Sequence, residues 1–222
     1  IGLSLDGPRE FHDAYRVDKT GKPTFDRVMK AARLLRHHKV DYNILTTVHA
    51  ANGDHPLEVY RFLRDEVKAN FIQFIPIVER ENDTGFQEGD VVTDRSVKAE
   101  QYGRFLISVF NEWVCRDVGR IFVQIFDVAL AAWSGMPSGM CAFSETCGTA
   151  MALEHNGDMY SCDHFVEPKY LLGNIWKRDM AGLARSTKQQ KFGRDKLDAL
   201  PEYCRRCEVR FVCNGECPKN RS

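Results

Sequence analysis

The stretch CRRCEVRFVCNGEC, Cys204 to Cys217, places four cysteines within fourteen residues near the end of the chain. Cysteines at this density form disulfides, hold a metal ion or ligate an iron–sulfur cluster. Disulfide frameworks are typical of short secreted chains that cannot build a sufficient hydrophobic core. This chain has 222 residues, 43% of them hydrophobic, and long amphipathic segments. The cysteines therefore indicate metal binding rather than disulfides.

Seven of the eight cysteines lie in the second half of the chain, at Cys141, Cys147, Cys162, Cys204, Cys207, Cys213 and Cys217. Two facing C-x2-C pairs would indicate tetrahedral zinc, but only Cys204 and Cys207 form such a pair. Seven thiolates complete one four-cysteine site and leave a second without its last ligand, which we expect beyond Ser222. Cys115 is a poor candidate, because its helical pattern predicts a buried position. Thiolates suit both zinc and iron, so both metals stay open on spacing alone.

The first 120 residues alternate between strand and helix patterns. Apolar or β-branched runs at residues 1–5, 41–49 and 71–78 predict strands, and amphipathic segments at 24–39, 55–69 and 96–118 predict helices, with Thr24 as an N-cap. This alternation is typical of βαβ units and a parallel sheet. Three units are too few to close an eight-stranded barrel. We therefore expect an internal piece of a longer α/β protein, since Ile1 also falls within a strand pattern.

The character of the sequence changes after Gly119. A loop rich in Gly, Ser and Met is followed by two short strand patterns around the turn Asn156-Gly157-Asp158, and then by short helical pieces. We predict two domains, an α/β part at 1–119 and a small, loop-rich metal domain at 120–222.

Charge and hydropathy argue against two classes of partner. Lys plus Arg and Asp plus Glu number 31 each, so no net charge favours nucleic acid or an anionic membrane surface. The sequence has no run of about 18 apolar residues that would span a bilayer. We expect neither nucleic acid nor membrane as a partner.

The spacing Cys147-x9-Gly157-x4-Cys162, followed after a gap by Cys204-x2-Cys207-x5-Cys213-x3-Cys217, resembles the SPASM domain of radical S-adenosylmethionine (SAM) enzymes. SLDGP and HDAYR, at 4–8 and 12–16, resemble the fourth strand and following loop of the partial (β/α)6 barrel of that superfamily. The resemblance implies the C-terminal part of a radical SAM barrel, followed by a small loop-rich iron–sulfur (SPASM) domain.

Within the superfamily, the chain is most similar to the anaerobic sulfatase-maturating enzymes. The resemblance lies in SLDGPREFHDAYR (4–16), FIQFIPIVER (71–80), GDMYSCDHFV (157–166) and Cys141, six residues before Cys147. It implies oxidation of an active-site Cys or Ser of a sulfatase to formylglycine. The implied partners are the sulfatase polypeptide, SAM and a reductant such as a flavodoxin or ferredoxin. Two alternatives remain: another SPASM enzyme that forms thioether or carbon–carbon links in peptides, and a non-catalytic zinc module that binds a partner.

The resemblance also implies three 4Fe–4S clusters. Two are auxiliary, one with the ligands Cys141, Cys147, Cys162 and Cys217, the other with Cys204, Cys207, Cys213 and a downstream cysteine. The third, radical-generating cluster would be held by a CxxxCxxC loop upstream of Ile1. Because such clusters are oxygen-labile, we expect a cytoplasmic, anaerobic setting.

Four further residues acquire roles through the resemblance. Asp163 matches the aspartate expected to act as general base, whereas taken alone it would be a turn residue. Ser4, Asp6 and Arg16 lie where such barrels bind SAM, near the carboxyl ends of the strands. Ser4 and Asp6 would contact ribose hydroxyls and Arg16 a carboxylate; the alternatives are turn chemistry and a surface arginine.

Overall fold

The computed structural model describes residues 1–221, which divide into two compact units. The first comprises Ile1–Glu79 and Val92–Asp127, and the second Arg80–Val91 and the chain from Val128 onward. Each unit is described by itself.

The first unit is built on a parallel four-stranded sheet. Its strands lie in the order β1 (Gly2–Ser4), β2 (Asn43–Val48), β3 (Phe71–Pro76) and β4 (Phe122–Val123). Each pair of neighbours is joined by a crossover that contains helix, as parallel pairing requires. The α/β fold and the parallel sheet predicted from the alternating pattern are confirmed.

The crossover helices are α1 (Arg9–Tyr15), α2 (Phe25–His37), α3 (Pro56–Arg61), which runs into the π-helical turn Phe62–Glu66, and α4 (Ala99–Arg116). Thr24 occupies the predicted N-cap of α2, but its hydroxyl does not cap the helix. The Asp13 carboxylate accepts the backbone N–H groups of Thr24 and Phe25 at 3.1 and 3.0 Å. The helix start is therefore satisfied by a residue from α1.

The core of this unit lies between the sheet and its helices. Leu5, Ile44 and Val123 are fully buried, and each such side chain stabilises the fold by about 1.5–3 kcal/mol. Tyr60 is also buried, and its hydroxyl donates to Asp117 at 2.8 Å. A buried hydroxyl without such a partner would carry an uncompensated desolvation cost.

The prediction that Cys115 is buried was wrong. Helix α4 turns Phe105, Val109 and Trp113 inward, a repeat of four residues that sets one face of the helix. Cys115 follows Trp113 by two positions, which is more than half a turn of an α-helix, and it is exposed.

The division between the units also differs from the predicted boundary at 119/120. Strand β4 pairs with β3 in the first unit, with Phe122 opposite Phe71, and helix α5 (Gln124–Trp133) follows it directly. Residues Arg80–Val91 group with the second unit. The assignment of the two parts as domains stays a prediction.

The second unit contains a three-stranded antiparallel sheet of β5 (Ala152–Leu153), β6 (Asp158–Tyr160) and β7 (Leu171–Asn174). The predicted hairpin around Gly157 is confirmed, and Gly157 has φ 86°, a conformation that favours glycine. The sequence did not predict β7.

The helices of the second unit are short and connected by loops. They are α6 (Met180–Ala184), α7 (Thr187–Asp198), α8 (Glu202–Arg205) and α9 (Arg210–Cys213), with 3-10 turns at Cys141–Phe143, Pro168–Tyr170 and Pro218–Asn220. Ser186 caps α7 by accepting from the backbone N–H of Gln189. Among the described residues, no helix is long and apolar enough to cross a membrane.

Candidate metal centre

Cys162, Asp163 and His164 form a tight turn just after strand β6. The Cys162 thiol donates to Oδ1 of Asp163 at 3.2 Å, and the backbone N–H of His164 donates to the Cys162 sulfur at 3.5 Å. Within residues 1–221, these are the only three side chains that bring metal-ligating atoms within 4.8 Å of one another. The structure thus places an exposed carboxylate directly beside a predicted cluster ligand.

The turn is anchored by its neighbours. The backbone N–H of Ser161 donates to the carbonyl of Tyr170 at 3.0 Å, and that of Phe165 to the carbonyl of Cys162 at 3.1 Å. The Phe165 ring is buried and lies 4.9 Å from the ring of Tyr170 and 5.9 Å from that of Phe192. Aromatic packing and hydrogen bonds together fix the position of Cys162.

Cys217 approaches the same turn from the C-terminal part of the chain. Its sulfur lies 3.7 Å from Nδ1 of His164. The preceding segment, Asn214–Glu216, has φ values of 47°, 73° and 56°, an unusual run of left-handed residues. The Arg221 guanidinium holds this segment: Nε donates to the carbonyl of Gly215 at 2.7 Å, and Nη2 to the carbonyls on either side at 3.3 and 3.2 Å.

Cys147 is held against helix α7. Its backbone N–H donates to the carbonyl of Gly193 at 3.1 Å. A Cβ on Gly193 would lie 2.5 Å from the Cys147 carbonyl oxygen, so this approach requires glycine. The Gln189 amide, one turn earlier, donates to the carbonyls of Gly148 and Ser161 at 2.7 and 3.0 Å. Gln189 therefore joins the segments that carry Cys147 and Cys162.

Cys141 begins a 3-10 turn that is held by two other segments. The Lys196 ammonium, from α7, donates to the carbonyls of Cys141 and Ala142 at 2.8 and 2.7 Å. The Asn214 amide donates to the carbonyl of Phe143 at 2.9 Å. Helix α7 and the loop before Cys217 thus both bind the Cys141 turn.

The four thiols are close enough for their charges to interact. Burial raises the pKa of Cys147 and Cys217, and it raises that of Cys162 to about 12. A charge on Cys141 raises the pKa of Cys147 and Cys217 further, and a charge on Cys217 raises that of Cys162. The structure brings the four cysteines of the first predicted set into one region.

This donor set fits an iron–sulfur cluster. The backbone N–H of His164 donates to the Cys162 sulfur at 3.5 Å. Hydrogen bonds to sulfur are among the features that set a cluster's potential. Four cysteine thiolates are the usual donor set of a 4Fe–4S cluster.

The second predicted set lies on two short helices, α8 and α9, and on the segment between them. Cys204 is in α8, Cys213 ends α9, and the backbone N–H of Cys207 donates to the carbonyl of Cys204 at 3.3 Å. The pKa of Tyr203 is raised by a hydrogen bond with Cys204, by burial and by the charges of Cys204 and Cys213. Cys204 and Cys213 therefore both lie near one phenol, while Cys207 is exposed.

The predicted SAM contacts lie in the first unit. Ser4 ends β1 and is half-buried. The Asp6 carboxylate is buried and accepts from Nε and Nη2 of Arg16 at 2.6 and 3.0 Å, and from the backbone N–H of Thr47 at 2.8 Å. Asp6 and Arg16 thus bind each other, and their contact with SAM stays a prediction.

Sequence reasoning missed Gln189 and Lys196, which hold the cysteine segments from α7. Their signal is a polar face: Gln189, Gly193 and Lys196 stand at i, i+4 and i+7 and are all buried. A buried stripe of this composition in an otherwise polar helix indicates hydrogen bonding to another segment rather than a hydrophobic core.

The chain is similar to proteins of known function. Residues 141–208 match SPASM, an iron–sulfur cluster-binding domain. A serine-type anaerobic sulfatase-maturating enzyme from Bacteroides thetaiotaomicron is 46% identical over 230 residues, covering 100% of the chain and 55% of that relative. A cysteine-type enzyme from Clostridium perfringens is 30% identical over 227 residues, covering 100% of the chain and 58% of the relative.

Solved structures match as well. Native anSMEcpe with bound AdoMet superposes with a TM-score of 0.86 at 30% identity, over 98% of this chain and 58% of that one. The same protein with AdoMet and the Cp18Cys peptide superposes with a TM-score of 0.86 at 30% identity. The match covers 98% of this chain and 59% of that one. The chain thus spans little more than half the length of these relatives. The resemblance and the fold predicted from SLDGP and the cysteine spacing are confirmed.

Proposed function

Because the chain is a homologue of the anaerobic sulfatase-maturating enzymes, we propose that it is part of a radical SAM oxidoreductase that oxidises an active-site Cys or Ser of a sulfatase to formylglycine. The observation that carries the proposal is the Asp163 carboxylate, exposed and 3.2 Å from the Cys162 sulfur, beside a set of interacting thiols. That arrangement combines a proton acceptor with an electron-accepting site.

The ligands of each proposed cluster are the two sets of cysteines that the sequence predicts. Cys141, Cys147, Cys162 and Cys217 hold the first auxiliary 4Fe–4S cluster. Cys204, Cys207 and Cys213 hold the second, with a fourth ligand from elsewhere in the full-length protein, which also carries the radical-generating cluster. Ser4, Asp6 and Arg16 contact SAM. When bound, the clusters supply one-electron transfer and SAM supplies the radical that removes a hydrogen atom.

The chemistry requires a base at the position of Asp163. Oxidising a CH2–OH or CH2–SH group to its carbonyl or thiocarbonyl form removes one hydrogen atom from Cβ, one proton from the hydroxyl or thiol, and one electron. Asp163 accepts the proton as general base. With a Cys substrate, water then replaces sulfur and hydrogen sulfide leaves. Asp163 is exposed, so a polypeptide can reach it.

The proposed partners are the sulfatase polypeptide and a one-electron reductant of the flavodoxin or ferredoxin class. Serine-type relatives are 46% and 32% identical to the chain and cysteine-type relatives 30%, so both Ser and Cys peptides are tested as targets. Since oxidants destroy exposed clusters, we place the protein in the cytoplasm.

The test uses the full-length protein, reconstituted anaerobically, with Ser- and Cys-containing sulfatase peptides. Asp163→Asn is expected to keep its iron and form 5′-deoxyadenosine while formylglycine formation falls by about 10²–10⁴-fold. Asp198→Asn, an exposed aspartate of the same unit, is the matched control and should keep the wild-type rate. An Asp163→Asn enzyme as fast as wild type would exclude this role. Crosslinked peptide in place of formylglycine would favour another SPASM activity, and colourless protein with stoichiometric zinc a binding module.

A further inference from the structure

Lys196 is a buried cation without a carboxylate partner. The residue is only 1% exposed, and a lysine is almost never fully buried unless it forms an ion pair. In the described part of the chain, its ammonium donates to the carbonyls of Cys141 and Ala142 and forms no ion pair within 4 Å. Two neutral carbonyls accept two of its three N–H donors and do not balance its charge.

Glu216 is the acidic residue whose charge interacts with that of Lys196, but it already has another hydrogen-bond partner. The Glu216 carboxylate accepts from the Asn220 amide at 3.0 Å. It does not supply Lys196 with a direct ion pair.

Lys196 lies among the segments that carry the first cysteine set. Its ammonium binds the carbonyl of Cys141 at 2.8 Å, and the backbone N–H of Cys147 binds the same helix at Gly193. The charge of the ammonium therefore lies beside residues that would hold an anionic four-thiolate cluster.

We propose that Lys196 is the internal counter-charge and positioning residue of the first auxiliary cluster. Its ammonium fixes the turn that carries Cys141, and its charge offsets the negative charge of the four-thiolate site. This rests on the first cluster of the proposed function. Reduction adds one negative charge to the cluster, so a fixed cation stabilises the reduced form and raises the reduction potential.

Arg221 supports this arrangement from the other end of the site. Its Nη1 donates to the Lys196 carbonyl at 2.8 Å, while its remaining donors hold Asn214–Glu216, just before Cys217. The Lys196 backbone is thus joined through Arg221 to the segment before Cys217. Its ammonium is joined to the turn that carries Cys141.

The test separates charge from hydrogen bonding. Lys196→Gln keeps an amide donor for the two carbonyls but removes the charge, and Lys196→Arg keeps the charge. Lys191→Gln is the matched control, since Lys191 is exposed on the same helix and pairs with Asp195 at 2.6 Å. All three are made in the full-length protein with Cys204 and Cys207 replaced by Ala, which removes the second cluster.

The readout is an anaerobic redox titration followed by electron paramagnetic resonance. The signal that SAM does not perturb belongs to the first cluster. We expect Lys196→Gln to shift its midpoint potential to a lower value, while Lys196→Arg and Lys191→Gln keep that of the parent. Lys196→Gln could instead lose its iron. In that case the proposal is supported if Lys196→Arg keeps both its iron and the midpoint potential of the parent protein.

Three outcomes would overturn it: an unchanged or higher potential in Lys196→Gln at full iron content, loss of iron in both Lys196 variants, or a parent protein without a SAM-insensitive cluster signal. Formylglycine formation by wild-type enzyme is assayed separately. An enzyme that shows the potential shift but makes no formylglycine refutes the proposed function and leaves the role of Lys196 standing.

Discussion

Arg16 and Asp6 form a two-point ion pair. Nε and Nη2 of Arg16 donate to the two carboxylate oxygens of Asp6 at 2.6 and 3.0 Å, and the Asp6 side chain is only 1% exposed. The same carboxylate accepts the backbone N–H of Thr47 in β2. Asp6 thus ties the end of β1 to both α1 and β2. This gives both residues a structural role alongside the predicted contact with SAM.

Replacing Asp6 with Asn should destabilise the protein by about 2–3 kcal/mol. That is below the roughly 3–5 kcal/mol for breaking a fully buried pair, because the Arg16 side chain is 30% exposed. Urea denaturation of the full-length protein measures the change. Asp26→Asn, which breaks the exposed pair with Arg9, is the control and should change little. Unchanged stability with weakened SAM binding would instead assign Asp6 to the cosubstrate alone.

Stability should fall as the pH drops below about 6.5. His12 is buried, with Nδ1 accepting from the backbone N–H of Asp6 at 3.3 Å and Nε2 3.0 Å from the Thr24 hydroxyl. Burial lowers the pKa of His12, and likewise that of His49. Because the unfolded histidines bind protons that the folded ones exclude, stability is full above pH 6.5 and declines towards the lowered folded pKa.

Both histidines should contribute to the stability that is lost on going from about pH 7.5 to 5.5. Denaturation curves at several pH values would measure the slope. His12→Gln should reduce that slope without abolishing it, since His49 remains, whereas His37→Gln, at an exposed position, should leave it unchanged. Equal slopes in wild type and His12→Gln would show that folding does not change the pKa of His12.

Sequence patterns were sufficient to predict the features that are determined by residues close together in the sequence. The period of helix α2, the turn at Gly157 and the cysteine spacing each depend on a few neighbouring residues. The contacts of Lys196 with the Cys141 turn join residues 55 apart, and the backbone N–H of Gln87 binds the carboxylate of Glu167, 80 residues away. Such pairings depend on tertiary packing, so composition and periodicity could not identify them.

Gln189 should matter for cluster loading where Gln190 does not. The Gln189 amide is buried and bridges the carbonyls of Gly148 and Ser161, next to Cys147 and Cys162. Gln189→Ala leaves both carbonyls without this donor, which should cost about 1–3 kcal/mol and lower the iron content. Gln190 is exposed, and its side-chain amide donates to the nearby carbonyl of Arg185 at 3.0 Å.

Unfolding curves and iron analysis on the reconstituted full-length protein compare the two. Gln190→Ala should match wild type in both. If Gln189→Ala also keeps wild-type stability and iron, the bridge does not position the cysteines.

Gly215 should be required for the loop that presents Cys217. It has φ 73°, and a Cβ there would clash with Leu200 Cδ2 and lie 3.1 Å from Nη2 of Arg221. Gly215→Ala therefore combines the cost of a left-handed residue, about 1–2 kcal/mol, with displacement of the guanidinium that holds Asn214–Glu216. We expect lower stability and less iron per protein.

A substitution at Gly135 distinguishes the backbone cost from the displacement of Arg221. Gly135 has φ 75°, but a methyl group added there would meet no atom of residues 1–221 within 4 Å. Gly135→Ala should carry only the backbone cost and keep its iron. Iron and sulfide analysis with thermal unfolding, on both variants prepared in parallel, gives the comparison. If the two substitutions lower stability equally and neither releases iron, then the Arg221 clamp does not control the position of Cys217, and the order of this loop has another source.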